Sequence, residues 1–165
     1  MAHRRHGYVE AMTIGVALRP AVPEDREFLF ELHRASMGRY VEELFGPWDD
    51  AVQWGFFDRW FRPEHTFVIS VGGEDVEVLA FEAREDDVYI TRIEVRPDRQ
   101  GHGIGTAVLR RLLDQAYDAG RTVSLHVFEI TPARELYRRL GFTTSREPDG
   151  RLFMRAPPQA GPSQG

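Results

Sequence analysis

Gly101, Gly103 and Gly105 stand at alternate positions within the stretch Gln100-Gly-His-Gly-Ile-Gly-Thr106. Glycine lets a backbone take otherwise strained angles and lets a ligand approach closely. The first N–H groups of a helix lack intrahelical partners and point outward. With the helix dipole behind them they suit a phosphate or pyrophosphate. Spacing separates this turn from two other phosphate binders. A P-loop needs Gly-Lys-Ser/Thr, and the chain contains no lysine. A dinucleotide fingerprint needs G-x-G-x-x-G in an early βαβ unit, whereas this turn has another spacing and falls late in the chain. The residues therefore read as a turn that holds a phosphorylated cofactor.

The neighbouring elements must position that turn. Val88 to Val95 is rich in β-branched residues and reads as a strand leading into it. Ile104, Val108, Leu112 and Ala116, with Leu109 and Leu113 beside them, mark one face of a helix leading out, which ends at Ala119-Gly120. In the strand, Val88 and Ile90 share one parity, while Ile93 and Val95 share the other. Side chains alternate strictly along a strand, so the shift predicts a β-bulge near Thr91-Arg92. Bulges disturb pairing and are common beside active sites.

The rest of the chain reads in order. Thr13 to Arg19 is a first strand. Pro23-Glu24-Asp25 opens a helix expected to end near Gly38. Tyr40 to Phe61 holds Trp48, Trp54, Trp60, Phe56, Phe57 and Phe61, with Asp49 as the cap of a second helix. Core packing is the simpler account of these aromatics, and lining a substrate pocket is the alternative. Thr66–Val71 and Val76–Arg84 form a hairpin around Gly72-Gly73. Val123, Leu125 and Val127 alternate in a further strand. Thr131-Pro132 then signals the start of a helix carrying Leu136, Tyr137 and Leu140, which Gly141 stops. Phe142–Ser145 and Leu152–Met154 close the chain as a strand pair. Residues 1–12 are expected to be a disordered extension, 13–155 a single domain and 156–165 a flexible tail. Met12 is an alternative start.

Composition narrows the function. At 165 residues with 42% hydrophobic content, the chain can bury a proper core. A formal net charge of -5 argues against nonspecific nucleic-acid binding. The absence of cysteine excludes disulfides, thiolate nucleophiles and thiolate metal sites. No apolar run is long enough for a membrane-spanning helix, and the basic first residues lack the apolar core of a signal peptide. The expectation is a cytoplasmic protein with no nucleic-acid or membrane partner. The histidines show no paired spacing with acids that suggests a metal site.

Two motifs then stand in order. The first is Val95-x-Pro97-x-x-Gln100-x-x-Gly103-x-Gly105, and the second is Ala133-x-x-Leu136-Tyr137-x-x-x-Gly141-Phe142. Together they resemble the GNAT superfamily of acyl-CoA-dependent N-acyltransferases, over about Thr13 to Arg155. The resemblance implies an α/β (α+β) fold. Its mixed, twisted central sheet would have about six to seven strands flanked by helices, with a splay between the fourth and fifth strands. Acetyl-CoA would be the co-substrate, without a metal. Backbone N–H groups from Gly101 through Thr106, including those of Gly103, Ile104 and Gly105, would hold the pyrophosphate, with Gln100 as the motif's first position. Backbone groups of Ile93 and Val95 would pair with the pantetheine arm. Tyr137 would protonate the departing thiolate. The family often has Asn just before the tyrosine's helix, where this chain has Ile130 or Thr131.

The implied reaction is attack of a neutral amine on a thioester. An alkyl ammonium has a pKa of ~10.4, so its proton needs an acceptor. Glu94, beside the expected splay and facing opposite Ile93 and Val95, ranks first as that base. A solvated strand carboxylate is the competing account. His126 ranks second, since a histidine's ordinary pKa of about 6.5 suits a base. Glu129 and Tyr89 follow. The acceptor would be a small-molecule amine or a protein or peptide amine, chosen by Arg34 to Trp60 and the loop near Asp86, with a homodimer left open. An acyl-CoA-binding domain with little or no catalysis is the alternative, and a nucleotide-binding fold using the same glycines is a third.

Overall fold

The computed structural model describes residues 15–159. Seven strands form one sheet in the order β1-β2-β3-β4-β5-β7-β6. They are β1 (Val16–Pro20), β2 (Thr66–Val71), β3 (Glu74–Ala83), β4 (Asp87–Val95), β5 (Thr122–Phe128), β6 (Thr143–Arg146) and β7 (Arg151–Ala156). The helices are α1 (Arg26–Phe45), α2 (Asp50–Trp60), α3 (Ile104–Asp118) and α4 (Ala133–Arg139). The sheet is mixed: β1 with β2, β2 with β3, β5 with β7 and β6 with β7 are antiparallel, and β4 with β5 is parallel.

The chain divides into two compact units. In the first, comprising residues 15–80 and 92–105 of the described chain, the core is aromatic. Leu29, Phe30, Leu32, Phe57, Phe61, Val68 and Val78 are buried, and Phe28, Trp48, Trp54 and Trp60 pack against them. Phe30 stacks on Trp54 with centroids 3.6 Å apart, and Phe57 meets both rings edge-on. Packing thus accounts for the tryptophans, while Phe56 points outward. Arg19 joins β1 to the start of α1 by a paired hydrogen bond to Asp25 and also meets Asp75 of β3. Asp25 in turn accepts from the Val22 N–H at 2.8 Å, so an acid one turn on compensates for a valine that cannot cap.

In the second unit, residues 81–91 and 106–159 of the described chain, the periodic face of α3 is buried as its spacing requires. Val108, Leu109, Leu112, Leu113 and Ala116 are all inside, as are Val88, Ile90, Val123, Leu125 and Met154. The ladder between β4 and β5 covers Asp87↔Thr122 to Ile90↔Leu125. Beyond it β4 runs on to Val95 and β5 to Phe128.

Several boundaries differ from the sequence reading. Gly38 does not end α1, which runs to Phe45 and stops at Gly46, where φ is 93°. An interior glycine weakens a helix by only about 1 kcal/mol. Here Trp48 covers the position, its ring 3.8 Å from where a Cβ would stand. Thr131 does not cap α4: its hydroxyl donates to the Phe128 carbonyl at 2.8 Å, and Pro132 occupies the cap position. Ala156 is not tail but the buried end of β7. Thr13, the 1–12 extension and residues 160–165 lie outside the described residues. In β4 the fully buried residues, Val88, Ile90 and Glu94, keep one parity, so burial gives no sign of an inserted residue at Thr91-Arg92. A register shift does occur, between Ile69 and Ser70 of β2, where the sequence carries no signal for it.

Candidate active site

The glycine turn begins where β4 ends. Pro97–Arg99 forms a single 3-10 turn, and Gln100 then donates its side-chain amide to the Val95 carbonyl at 3.0 Å. Gly101 and Gly103 have φ of 79° and 81°, a region strained for any residue with a Cβ. Gly105 is helical, and its role is different: a Cβ there would sit 3.4 Å from Val95 Cγ2 and 3.9 Å from a Glu77 carboxyl oxygen. The glycines thus divide into two that shape the turn and one that lets α3 approach the sheet. Ile104 is nearly buried and Thr106 half-buried. No acid occupies the first turn of α3, so its dipole faces no acidic side chain of that turn. These features fit a diphosphate: N–H groups at a helix start, at a turn only glycine can make. Around the turn Arg96 forks onto Asp98 at 2.7 and 3.0 Å, and Arg99 pairs with Glu74.

Ile93, Val95, Gln100, Gly101, Gly103, Ile104, Gly105 and Glu94 all fall in the first unit. Glu94 is not a solvated strand carboxylate; it is 6% exposed. His33 of α1 places Nδ1 at 2.9 and 3.1 Å from its two oxygens, and the Ser36 hydroxyl lies 2.8 Å from Oε2. A carboxylate only accepts, so His33 carries its proton on Nδ1. Arg92 stands 4.0 Å away, its guanidinium 4.7 Å from the Trp60 ring centre. Burial pushes the Glu94 carboxyl up, but His33, Arg92 and Ser36 outweigh it and hold the group below the usual carboxylate range. His33 and Ser36 were invisible as partners in the sequence, since the contact spans α1 and β4. Glu77, buried on β3, was also missed; its only signal is an acid inside the apolar run Val76–Phe81.

The other sequence candidates fall in the second unit, as does Thr106. The Tyr89 hydroxyl of β4 lies 2.8 Å from His126 Nδ1 of β5. His126 rests against Phe153 of β7, ring centres 4.9 Å apart, and its Nε2 is 3.7 Å from a Glu147 carboxyl oxygen. The result is a line of exchangeable protons from a phenol through an imidazole to a carboxylate. Tyr137 sits on α4, 5% exposed, its ring 5.6 Å from that of Phe142. Glu129 is committed to Arg146 and Arg134. Among the described residues no group of three or more acids and histidines is placed to hold a metal ion.

The arrangement has known counterparts. A family model described as the acetyltransferase (GNAT) family matches residues 27–142. The chain belongs to the GNAT family, and its mixed sheet with parallel β4 and β5 is the fold of that family. Among solved structures it is similar to the ribosomal-protein-S18-alanine N-acetyltransferase of Escherichia coli, at 20% identity and a TM-score of 0.64, over 90% of this chain and 97% of that one. It is similar to the PaiA N-acetyltransferase of Thermoplasma acidophilum, solved with coenzyme A, at 13% identity and a TM-score of 0.67, over 88% and 99%. It is also similar to Arabidopsis thaliana Naa50, solved with the bisubstrate analogue CoA-Ac-MVNAL, at 19% identity and a TM-score of 0.58, over 86% and 97%. No curated protein matches the chain by sequence.

Proposed function

We propose that this protein transfers an acetyl group from acetyl-CoA to a primary amine by direct attack in a ternary complex. The observation that carries the reading is the glycine turn at the start of α3, reached from a strand whose ladder to β5 ends at Ile90. Acetyl-CoA supplies the activated thioester. N–H groups from Gly101 to Thr106 bind its diphosphate. The backbone of Ile93 and Val95, in the stretch of β4 beyond that ladder, pairs with the pantetheine arm. The Val95 carbonyl already accepts from Gln100, so the arm uses N–H groups or the remaining lone pair.

Tyr137 gives a proton to the departing thiolate; a phenol of pKa about 10 is a suitable donor to a thiol of pKa about 8.5. For the amine's proton the geometry favours His126 over Glu94. Both Glu94 oxygens are engaged and the group is held acidic, which weakens it as a base. His126 is only hydrogen-bonded to a phenol, with Glu147 near enough to steady a positive ring. In this reading Glu94 is the buried anion that pins α1 to β4.

Two of the similar structures come from an N-acetyltransferase named for an alanine of a ribosomal protein and from one holding a peptide conjugate. A peptide α-amine is therefore the first acceptor class to try; with a pKa of about 8 it offers far more neutral amine at pH 7.5 than a lysine side chain. Release of free thiol from acetyl-CoA, followed with a panel of peptide N-termini and small amines, tests the proposal. Amine-dependent release is expected. Tight acetyl-CoA binding with no release on any amine would replace this reading with the acyl-CoA-binding domain.

A further inference from the structure

Glu77 has no exposed surface, and among the described residues neither of its carboxyl oxygens has a hydrogen-bond partner. Its neighbours on β3, Val76, Val78, Leu79 and Ala80, are all buried apolar residues. A buried polar group left unsatisfied destabilises a fold, and a leucine would fill the same space without that cost. The acid's place in the fold suggests what it does. Its Oε1 lies 3.9 Å from the Cβ position of Gly105, the second residue of α3. It therefore stands directly behind the turn that, on the reading above, receives a diphosphate.

We infer that Glu77 links the anion cradle to a proton: the turn holds the diphosphate of acetyl-CoA while Glu77 is neutral and weakens its hold when Glu77 ionises. Among the described residues no charge or hydrogen bond offsets an anion there. From α3, Gly105 stands beside it, and the first turn of that helix holds no acid. From β4, Val95 meets the same Gly105 position, and the next residue, Arg96, is committed to Asp98 and Glu74. On β2 the residue opposite is Ile69. On its own strand Asp75 is held by Arg19, and Glu74 by Arg99 and Arg96. Burial alone pushes the Glu77 carboxyl up, to about 8. In the free protein it would then begin to ionise just above neutrality.

A diphosphate on the same helix start adds like charge and raises that pKa further. Binding then takes up a proton, and affinity falls as pH rises through the free-state value toward the bound-state one. Each unit between the two is worth about a tenfold change in affinity. The chain has no cysteine, and the imidazole in the turn itself, His102, stays intact in any variant at Glu77, so a proton taken up there remains in the variant profiles and is separated from that of Glu77.

The experiment is calorimetric titration of the full chain with acetyl-CoA from pH 6.5 to 9, in buffers of differing ionisation enthalpy. Wild type should bind about five- to tenfold more weakly at pH 9 than at pH 7, with net proton uptake near pH 8. Glu77→Gln should abolish both effects while holding its pH 7 affinity within about threefold. Glu77→Leu is the second variant, expected to be equally flat. A flat wild-type profile, or an undiminished fall in both variants, overturns the inference and leaves the cofactor assignment standing. Absence of acetyl-CoA binding at pH 6.5 overturns the cofactor assignment and this inference with it.

Discussion

Replacing Glu94 by glutamine separates its two candidate roles. The carboxylate is 6% exposed and meets His33 at 2.9 Å and Ser36 at 2.8 Å, with Arg92 at 4.0 Å. Removing the charge leaves a buried imidazole and a guanidinium without their anion. Breaking a buried pair from one side typically costs about 3–5 kcal/mol. The amide oxygen can still accept from His33, so the low end, about 3 kcal/mol, is the expected loss. For a chain of this size that is a fall in Tm of about 6–12 °C. The sign of the pH dependence is also set. Glu94 is held below its ordinary range, so its contribution is present above the unfolded-state pKa, and it is lost as pH falls through the lower folded value. The wild-type and Glu94→Gln stability curves should therefore diverge at neutral pH and converge in acid. Urea denaturation at pH 7 and across the acid range measures this. Turnover per folded molecule should change by less than about threefold, since general-base help is worth about 10²–10⁴-fold and Glu94 is not supplying it. A variant as stable as wild type whose turnover falls a hundredfold or more would refute the reasoning and restore Glu94 as the base.

Tyr137→Phe should lower kcat by about 10²–10⁴-fold while leaving acetyl-CoA affinity unchanged, read by thiol release and calorimetry. If both stay unchanged, the proton reaches the thiolate from elsewhere. His126→Gln should lower kcat by a similar factor and Tyr89→Phe by a smaller one; turnover that is unchanged in both variants excludes the relay. Gly103→Ala forces a Cβ onto a backbone at φ 81°, a strain of about 1–2 kcal/mol, and should weaken acetyl-CoA binding by about tenfold. An unchanged dissociation constant would show that the turn does not hold the cofactor.

Local sequence determined the elements and the turn. The four-residue recurrence from Ile104 to Ala116 predicts which face of α3 is buried, because helix geometry puts those side chains in one stripe whatever they pack against. Gly72-Gly73, with φ of 60° and 86°, predicts the β2–β3 hairpin for the same kind of reason: the angles themselves demand glycine. Asp49, accepting from the Val52 N–H at 2.9 Å, caps α2 through a contact three residues away. Even the family was legible, since its two motifs are short and continuous in the chain.

The state of each ionisable group was not legible, because it depends on partners distant in sequence. Glu94 reads as an ordinary strand acid until His33, 61 residues earlier, is folded against it. Tyr89 and His126 become a pair only when β4 and β5 align, 37 residues apart. Glu77 becomes a weak acid only when folding buries it, with residues as far along the chain as Gly105 coming alongside. Spacing along the chain sets backbone geometry, whereas proton affinity is set by desolvation and by charges a few ångströms away. Only the tertiary structure decides which charges those are.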